Sequence, residues 1–336
     1  MSATIKQVAA RAGVSSATVS KYLNGVPLKD KNQAAVRAAI REMGYTRNTM
    51  ARGLRTKRSM TVGAVIFEFS NPYSATVMSE IENYISGHGY GIIVCESKTD
   101  ASAQREKINF LLNKLVDGLI ICPVGLTDED LRAIPVPVVC IDQLADARAC
   151  DYILGGNAAA SFEATEHLIA FGHRDIGIIC GPAELYTARE RLAGVLAAHE
   201  KYGVRLRDEY IVTTGYEVES GYKAARKLIE TANRPTAIFA TNHHLTLGAV
   251  IALNEANINI PDDISFIGFD YLELANAVRP NLSIVVQPVA QIGVTAAEML
   301  LGKMTGQKSG FDIIELPLNF IRQKSVKRII GTGDEL

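Results

Sequence analysis

The sequence predicts a small all-α unit of the helix-turn-helix type, followed by an α/β core of two Rossmann-like subdomains. Three observations lead to this prediction. Residues 1–60 differ strongly in charge from the rest of the chain. Residues 1–45 contain the patterns of three short amphipathic helices. From residue 61 onward, short apolar runs alternate with longer helical patterns, as in α/β proteins.

The size and composition of the chain narrow the classes of protein to consider. Its 336 residues suffice for two or three domains, and 48% of them are hydrophobic. No apolar run approaches the ~18–20 residues that span a bilayer, and the N-terminus lacks the apolar stretch of a secretory signal. The five cysteines form no CxxC pair. We therefore expect a cytoplasmic protein without a disulfide framework, a structural zinc site or a cofactor.

The charge of the chain is divided very unevenly. Residues 1–60 contain twelve lysines and arginines and only two acidic residues, which gives this segment a net charge of +10. The remaining residues contain 23 basic and 34 acidic side chains, a net charge of −11. A basic segment in front of an acidic one predicts a polyanionic partner for the first.

The basic segment has the pattern of three helices. Thr4 is a candidate N-cap for a helix over 5–12, and Ser15 for a second helix over 16–24. A third helix fits residues 31–43. Two helices joined by a tight turn and supported by a third form a helix-turn-helix unit, which binds double-stranded DNA. An ordinary three-helix bundle with a basic surface is the alternative.

A basic connector follows this unit, over residues 46–59. Asn48 can cap a short helix over 49–54, but Gly53 costs that helix about 1 kcal/mol relative to alanine. A helix this short is marginal on its own. We therefore expect a segment that becomes helical only on DNA.

The rest of the chain predicts parallel sheets. Continuous apolar strands joined by helices are typical of sheets covered on both faces. The predicted strands are 62–67, 91–97, 118–122, 138–142, 176–180, 237–241, 264–269 and 283–286. Helical patterns between them include 75–88, 104–114, 162–171, 188–202, 220–231 and 245–256. The strands are too many for one compact sheet and divide near Asn157, so we expect two subdomains with a cleft between them.

Polar residues at strand ends would face this cleft. Asp142, Asn242 and Asp270 each follow a predicted strand. Arg191 lies in the first turns of a predicted helix, and Tyr73 lies in the loop after the first strand. Carboxylates, an amide and a guanidinium can satisfy adjacent hydroxyls, and an aromatic ring can stack on a sugar. The set predicts a site for a polyhydroxylated ligand, although single members could be a strand-end cap or an ion pair.

Several motifs resemble a known family. The run TIKQVAARAGVSSATVSKYLN, followed by REMGY and ARGL, is similar to the DNA-binding headpiece of the LacI/GalR family of bacterial transcription regulators. VDGLIICP, FGHRDIGIICG, RERLAG, RPTAIFATN and IPDDISFIGFD resemble its effector core, so the likeness covers nearly the whole chain. The resemblance implies a homodimeric repressor with a periplasmic-binding-protein-like core. A small-molecule effector, a sugar by preference, would control its affinity for a near-palindromic operator.

The resemblance also implies domain boundaries. The headpiece would cover 1–45, the hinge 46–60 and the core 61–336. Within the core, one lobe would contain about 61–157 and 288–318, and the other about 158–287 and 319–336.

The resemblance assigns DNA-binding roles to individual residues. The second helix would lie in the major groove, with Ser16, Ala17 and Lys21 toward the bases, and Leu54 would wedge open a base step in the minor groove. The full set is Thr4, Ser15, Ser16, Ala17, Thr18, Ser20, Lys21, Asn24, Asn48, Ala51 and Leu54. The sequence departs from the family at Lys21, where arginine is usual, and at Arg47, where proline is usual.

The effector-binding residues follow in the same way. The matching positions are Tyr73, Asp142, Arg191, Tyr216, Asn242, Asp270 and Gln287. Ser74 replaces a frequent aromatic residue, and His243 and His244 stand where an acidic residue is common. Leu185 stands where purine-responsive relatives carry an arginine, which makes a purine the lesser option.

Three other functions remain as alternatives. In a corepressor-dependent regulator with the same domains, the ligand would strengthen operator binding instead of weakening it. A two-lobed solute-binding protein shares the core but not the basic headpiece. An enzyme on a Rossmann-like scaffold would need a glycine-rich fingerprint or a nucleophile–base pair, and the sequence shows neither. His243 and His244 lack a third ligand at metal-binding spacing.

Overall fold

The structure is a computed structural model of the 336-residue chain. It describes residues 3–23, 25–45, 58–98, 100–145, 149–270 and 272–329. The chain divides into two compact units, Met1–Ser59 and Met60–Leu336. No helix within the described ranges is long and apolar enough to cross a membrane.

Three helices form the first unit: α1 (Ile5–Ala12), α2 (Ser16–Leu23) and α3 (Asp30–Glu42). Thr4 caps α1 reciprocally with Gln7, because the Gln7 amide donates to Thr4 Oγ1 and the Thr4 amide donates to Gln7 Oε1. Gly13 ends α1 with a φ of 66°, in the left-handed region that glycine adopts without strain. The small core between the three helices consists of Val8, Ala9, Val19, Val36 and Ala39.

Two six-stranded sheets form the second unit. The first contains β1 (Thr61–Ile66), β2 (Gly91–Glu96), β3 (Gly118–Ile121), β4 (Val138–Ile141), β5 (Asp151–Gly155) and β11 (Ile313–Leu316), in the order β11-β5-β4-β3-β1-β2. The second contains β6 (Ile176–Cys180), β7 (Ile211–Thr213), β8 (Ala237–Ala240), β9 (Ser265–Phe269), β10 (Ser283–Val286) and β12 (Asn319–Ile321), in the order β12-β10-β9-β8-β6-β7. All the pairings are parallel except the one between β10 and β12.

Helices cover both sheets. They are α4 (Pro72–Gly87), α5 (Ala101–Asn113), α6 (Asp128–Arg132), α7 (Asn157–Ala170), α8 (Tyr186–Tyr202), α9 (Val218–Ile229), α10 (His243–Glu255), α11 (Leu272–Ala277) and α12 (Val289–Met304). Helices α4 and α12 pack on each other and share the core of the first sheet, so the chain returns there after β10. We call the first sheet with α4–α6 and α12 the first lobe. The second lobe is the second sheet with α7–α11.

The predicted fold class is confirmed: a small helical unit precedes two Rossmann-like α/β lobes. Each predicted strand matches an observed one, but four further strands, β5, β7, β11 and β12, did not stand out in the sequence. The strand β5 begins with the buried Asp151, which pairs with Lys303 Nζ at 3.0 Å and accepts from the Asp312 amide at 2.8 Å. Both partners lie more than a hundred residues further along the chain. No local sequence pattern therefore indicates that an acidic residue begins a buried strand here.

Helices α7 and α8 approach so closely that a glycine is required between them. A Cβ atom on Gly194 would lie 2.1 Å from the carbonyl oxygen of Ala158. We expect Gly194→Ala to lower the free energy of unfolding by about 1–3 kcal/mol, because the two helices must separate. Urea denaturation measures this loss. Gly87→Ala is the control, since a Cβ at the end of α4 meets nothing within 4 Å; equal stability of both variants would contradict the expectation.

Candidate functional site

The exposed side of α2 carries the residues predicted to contact bases, with Ser16 and Ala17 in its first turn and Lys21 in its last. Ser16, Ala17 and Lys21 are exposed, whereas Thr18 and Ser20 are half-buried. Ala17 and Lys21 are four residues apart and therefore lie on one side of the helix. Their contacts with base edges remain a prediction.

Other predicted DNA contacts hold the ends of the helices. The Thr18 amide donates to Ser15 Oγ at 3.1 Å, and the two hydroxyl oxygens of these residues are 2.9 Å apart. Thr4 has the same role at the start of α1. Asn24, Asn48, Ala51 and Leu54 lie outside the described residues, as do Gly53 and the departure at Arg47, so their roles remain predictions.

In the second unit, two predicted carboxylates each lie directly after a strand, one in each lobe. Asp142 follows β4 with a φ of 68°, and Asp270 follows β9 with a φ of 70°. Aspartate tolerates this left-handed region better than most residues. The Asp142 amide donates to the Ile153 carbonyl at 2.9 Å, and the Asp270 amide donates to the Val285 carbonyl at 2.7 Å. Both residues are therefore fixed by the sheets that precede them.

Arg191 is buried in α8, with only 3% of its surface exposed. Its Nε donates to Asn157 Oδ1 at 2.7 Å, and its Nη1 donates to the Thr241 carbonyl at 2.7 Å. The guanidinium carbon lies 3.8 Å from the centroid of the Phe269 ring. These three contacts fix the plane of the guanidinium.

The two carboxyl groups and the guanidinium interact electrostatically. Burial, together with the charge of Asp270, raises the pKa of Asp142 to about 6, and Arg191 acts in the opposite direction. Burial also raises the pKa of Asp270, while Arg191 and a hydrogen bond from Gln287 lower it. Arg191 therefore favours the ionised form of both carboxyl groups, against the burial that disfavours it.

A cavity of about 220 Å³ lies between the lobes next to these groups. Its lining includes three predicted residues, Tyr73, Asp270 and Gln287. Gln287 Nε2 donates to Asp270 Oδ1 at 2.8 Å. Tyr73 lies in the first turn of α4 and not in a loop as predicted, because Asn71 caps this helix through the Tyr73 amide at 2.9 Å.

The other four predicted residues lie outside this lining. Asp142, Arg191 and Tyr216 are within electrostatic range of one another, since both charged groups influence the pKa of the Tyr216 hydroxyl. Asn242 caps α10, and its Oδ1 accepts from the His244 backbone amide at 2.9 Å. The side-chain oxygen of Asn242 is therefore already hydrogen-bonded within the protein.

Several buried polar atoms at this site have no hydrogen-bond partner within the described part of the chain. They are Tyr73 Oη, Asp142 Oδ1, Tyr216 Oη and Gln287 Oε1. A buried polar group without a partner costs free energy, and natural proteins keep few of them. Those of Tyr73 and Gln287 belong to the cavity lining, which indicates a site that receives its partners from a polar ligand or from water.

No group of three or more potential metal ligands occurs in the described ranges. His243 is not among the predicted effector contacts, although it stands where the family commonly has an acidic residue. The structure places this residue in the lining of the cavity. The sequence indicated this location only through the position of His243 next to the predicted effector contact Asn242.

A helix-turn-helix unit joined to a two-lobed core with a polar cavity defines the class of ligand-responsive, DNA-binding regulators. Residues 4–48 match the family described as bacterial regulatory proteins, lacI family, and residues 165–326 match the periplasmic binding protein-like domain. The chain is 35% identical over 331 residues to the HTH-type transcriptional repressor PurR of Pectobacterium atrosepticum, covering 96% of this chain and 97% of that protein. The chain belongs to the lacI family, and it is a DNA-binding transcriptional regulator rather than an enzyme.

Two solved structures show the same architecture. The lac repressor dimer bound to operator and the anti-inducer ONPF superposes with a TM-score of 0.86 at 26% identity, covering 97% of this chain and 100% of that one. A complex of the transcriptional regulator CelR with cellobiose gives a TM-score of 0.73 at 26% identity, covering 96% and 99%.

Proposed function

We propose that this chain is a cytoplasmic repressor whose operator affinity is controlled by a small sugar or sugar derivative bound between the lobes. One observation carries the proposal. Arg191 is held by three contacts and interacts electrostatically with the buried Asp142 and the half-buried Asp270, next to a cavity with unpartnered polar atoms. This arrangement offers donors and acceptors together, as a ligand with adjacent hydroxyls requires.

The size of the cavity supports a compact ligand. Its volume of about 220 Å³ is below the ~300–1,000 Å³ of pockets for drug-sized molecules. Pro72, Leu272, Val286 and Val289 supply apolar surface beside the polar groups. A monosaccharide has this combination of an apolar face and a polar edge. The related CelR has been solved with cellobiose, which supports a carbohydrate as the class of ligand.

The proposed partner is near-palindromic operator DNA, bound by a homodimer. A dimer with two-fold symmetry presents two headpieces to two half-sites, which predicts the symmetry of the DNA. The solved lac repressor relative is a dimer bound to operator. A tetramer of two such dimers is the alternative assembly.

We propose induction as the sign of the response, so that the ligand weakens operator binding. A ligand acts only through its different affinities for two conformations. The lobes contact each other through Gln143, whose Nε2 donates to Thr187 Oγ1 at 2.9 Å and whose Oε1 accepts from the Tyr186 amide at 2.9 Å. A ligand that changes the separation of the lobes must change these contacts. The expected coupling is about 1–3 kcal/mol, and a corepressor would give the opposite sign.

The experiment that tests this proposal uses the full chain. Binding sites are selected from random double-stranded DNA, and affinity for the selected site is measured by fluorescence anisotropy at fixed salt concentration. D-Ribose, D-glucose, D-galactose and adenine are then added separately. The proposal expects a near-palindromic site and release by a sugar. Tighter binding in the presence of adenine would instead support the corepressor alternative.

Lys21 provides a sharper test of the headpiece. We expect Lys21→Ala to weaken binding to the selected operator by about 1–3 kcal/mol and to relax preference at one base position. Anisotropy titrations with single-base operator variants measure both effects. Lys227→Ala is the control, because Lys227 is an exposed lysine on α9 of the core. Equal losses in the two variants would show that only overall charge matters.

A further inference from the structure

His243 is the first residue of α10 and lines the cavity. Only 4% of its surface is exposed. Its Nε2 atom is buried and has no hydrogen-bond partner within the described part of the chain. The ring therefore presents an unsatisfied polar atom at the same place as the unpartnered groups of Tyr73 and Gln287.

The neighbours of His243 keep its ring uncharged. Its centroid lies 3.8 Å from that of His244, whose Nδ1 is 2.8 Å from the Tyr216 carbonyl oxygen and 3.6 Å from Glu68 Oε1. Burial lowers the pKa of His243 to about 3, and the charges of His244 and Arg191 act in the same direction. At neutral pH the imidazole therefore offers a hydrogen-bonding nitrogen without a positive charge.

The remaining charges at the site are mainly negative. Asp270 and Glu273 line the cavity, and Asp142 is buried beside it. Within the described ranges, the positive charge at the site comes from Arg191, whose Nε and Nη1 are already bonded to the protein. Two of the unpartnered atoms, Asp142 Oδ1 and Gln287 Oε1, can only accept hydrogen bonds. A phosphate group offers mostly acceptors and negative charge, so it would meet repulsion here.

We propose that His243 is an effector contact, and that this site takes an uncharged polyol and rejects its phosphorylated counterpart. A sugar hydroxyl can both donate and accept, so it can satisfy Nε2 in either tautomer of the neutral ring. The same ligand can donate its other hydroxyls to the acceptor-only atoms. This inference rests on the proposed function, because it specifies the ligand of the same cavity.

The test measures ligand binding to the full chain by isothermal titration calorimetry. The probes are D-ribose, D-glucose, D-galactose and D-fructose, each compared with its monophosphate at the terminal carbon. We expect one of the neutral sugars to bind, and its phosphate to bind at least about tenfold more weakly. Equal or tighter binding of the phosphate overturns the inference, and so does tighter binding of adenine than of every sugar.

A substitution then tests the residue itself. His243→Phe keeps a ring but removes both nitrogens, so affinity for the neutral sugar should fall by about tenfold or more. His199→Phe is the matched control, because His199 is also buried with an unpartnered Nε2 but lies outside the cavity lining. His243→Asn, which restores a polar atom, should recover part of the affinity. Unchanged affinity in His243→Phe overturns the assignment, provided that circular dichroism shows a folded protein.

Failure of this inference can be told apart from failure of the proposed function. A protein that binds its selected operator but none of the neutral sugars contradicts the polyol inference and leaves the DNA-binding function intact. A protein that binds a neutral sugar but no DNA contradicts the proposed function and still supports the inference.

Discussion

Replacing Arg191 with alanine is expected to remove most of the affinity for the effector. The guanidinium is fixed by Asn157, by the Thr241 carbonyl and by the Phe269 ring, so it is oriented before a ligand arrives. Its loss leaves ligand hydroxyls without a charged donor in a buried site. We expect a cost on the order of 2–4 kcal/mol, or roughly 30- to 1,000-fold in Kd.

The same substitution also removes the counter-charge of Asp142 and Asp270. Because Arg191 lowers the pKa of both carboxyl groups, these pKa values should rise in the variant. The carboxyl groups would then take up protons closer to neutral pH and become weaker acceptors. Sugar binding by Arg191→Ala should therefore weaken further as the pH falls from 8 to 6, which calorimetry at several pH values can measure.

Arg191→Lys separates charge from geometry. Lysine restores a positive charge but cannot reproduce the planar fork that bonds two partners at once. We expect an affinity between those of the wild-type protein and the alanine variant. Operator binding without ligand should barely change in either variant. An intact sugar response in Arg191→Ala would show that the effector binds elsewhere.

Local patterns were sufficient to predict most of the fold. Strands such as β1 and β8 are continuous apolar runs, and Thr4, Gly13 and Ser15 mark the ends of the first helices through their own chemistry. The predicted helix start at residue 75 is too late, because the Asn71 side chain caps α4 and Pro72 fits its first position. The strand β5 begins with the buried Asp151, whose partner Lys303 lies far along the chain, so no local pattern marks this strand start.

The site was predictable to a smaller extent. A polar residue after an apolar strand indicates a position at the cleft, which is why Asp142 and Asp270 could be named. Sequence could not show that the oxygen of Asn242 is engaged as a helix cap, or that His243 is turned into the cavity lining. Both outcomes depend on the packing of α10 against its surroundings. The burial that shifts the pKa of Asp142 depends on both lobes and is likewise non-local.

The second large effect is expected at Asp142, where asparagine should stabilise the protein and weaken effector binding. The pKa of this carboxyl group rises from 3.8 to about 6 in the folded protein. The folded state therefore binds its proton more tightly than the unfolded state does. Between about pH 4 and 6 the free energy of unfolding falls as the pH increases, because the folded protein must hold a buried charge that it disfavours.

The magnitude follows from the shift. At about 1.4 kcal/mol per pH unit, the ionised Asp142 destabilises the protein by roughly 3 kcal/mol above pH 6. Asparagine removes the charge and tolerates the observed φ of 68°. Asp142→Asn should therefore raise the free energy of unfolding by up to about 3 kcal/mol at pH 7.5 and by almost nothing at pH 4. Urea denaturation at both pH values measures the difference.

The same substitution should lower the affinity for the effector while it raises the stability. A neutral amide oxygen is a weaker acceptor for a sugar hydroxyl than a carboxylate, so the loss of affinity should be about 1–3 kcal/mol at neutral pH. Wild-type affinity should decrease as the pH falls through about 6, where Asp142 takes up its proton, and the variant should lack this step.

Asp151→Asn is the matched control for stability, because Asp151 is buried but pairs with Lys303 at 3.0 Å. Losing that charge should destabilise the protein, since it leaves Lys303 without its partner. If both substitutions lower stability at pH 7.5, the burial of Asp142 carries no cost in the folded state, and the proposed exchange of stability for ligand binding at this site is wrong.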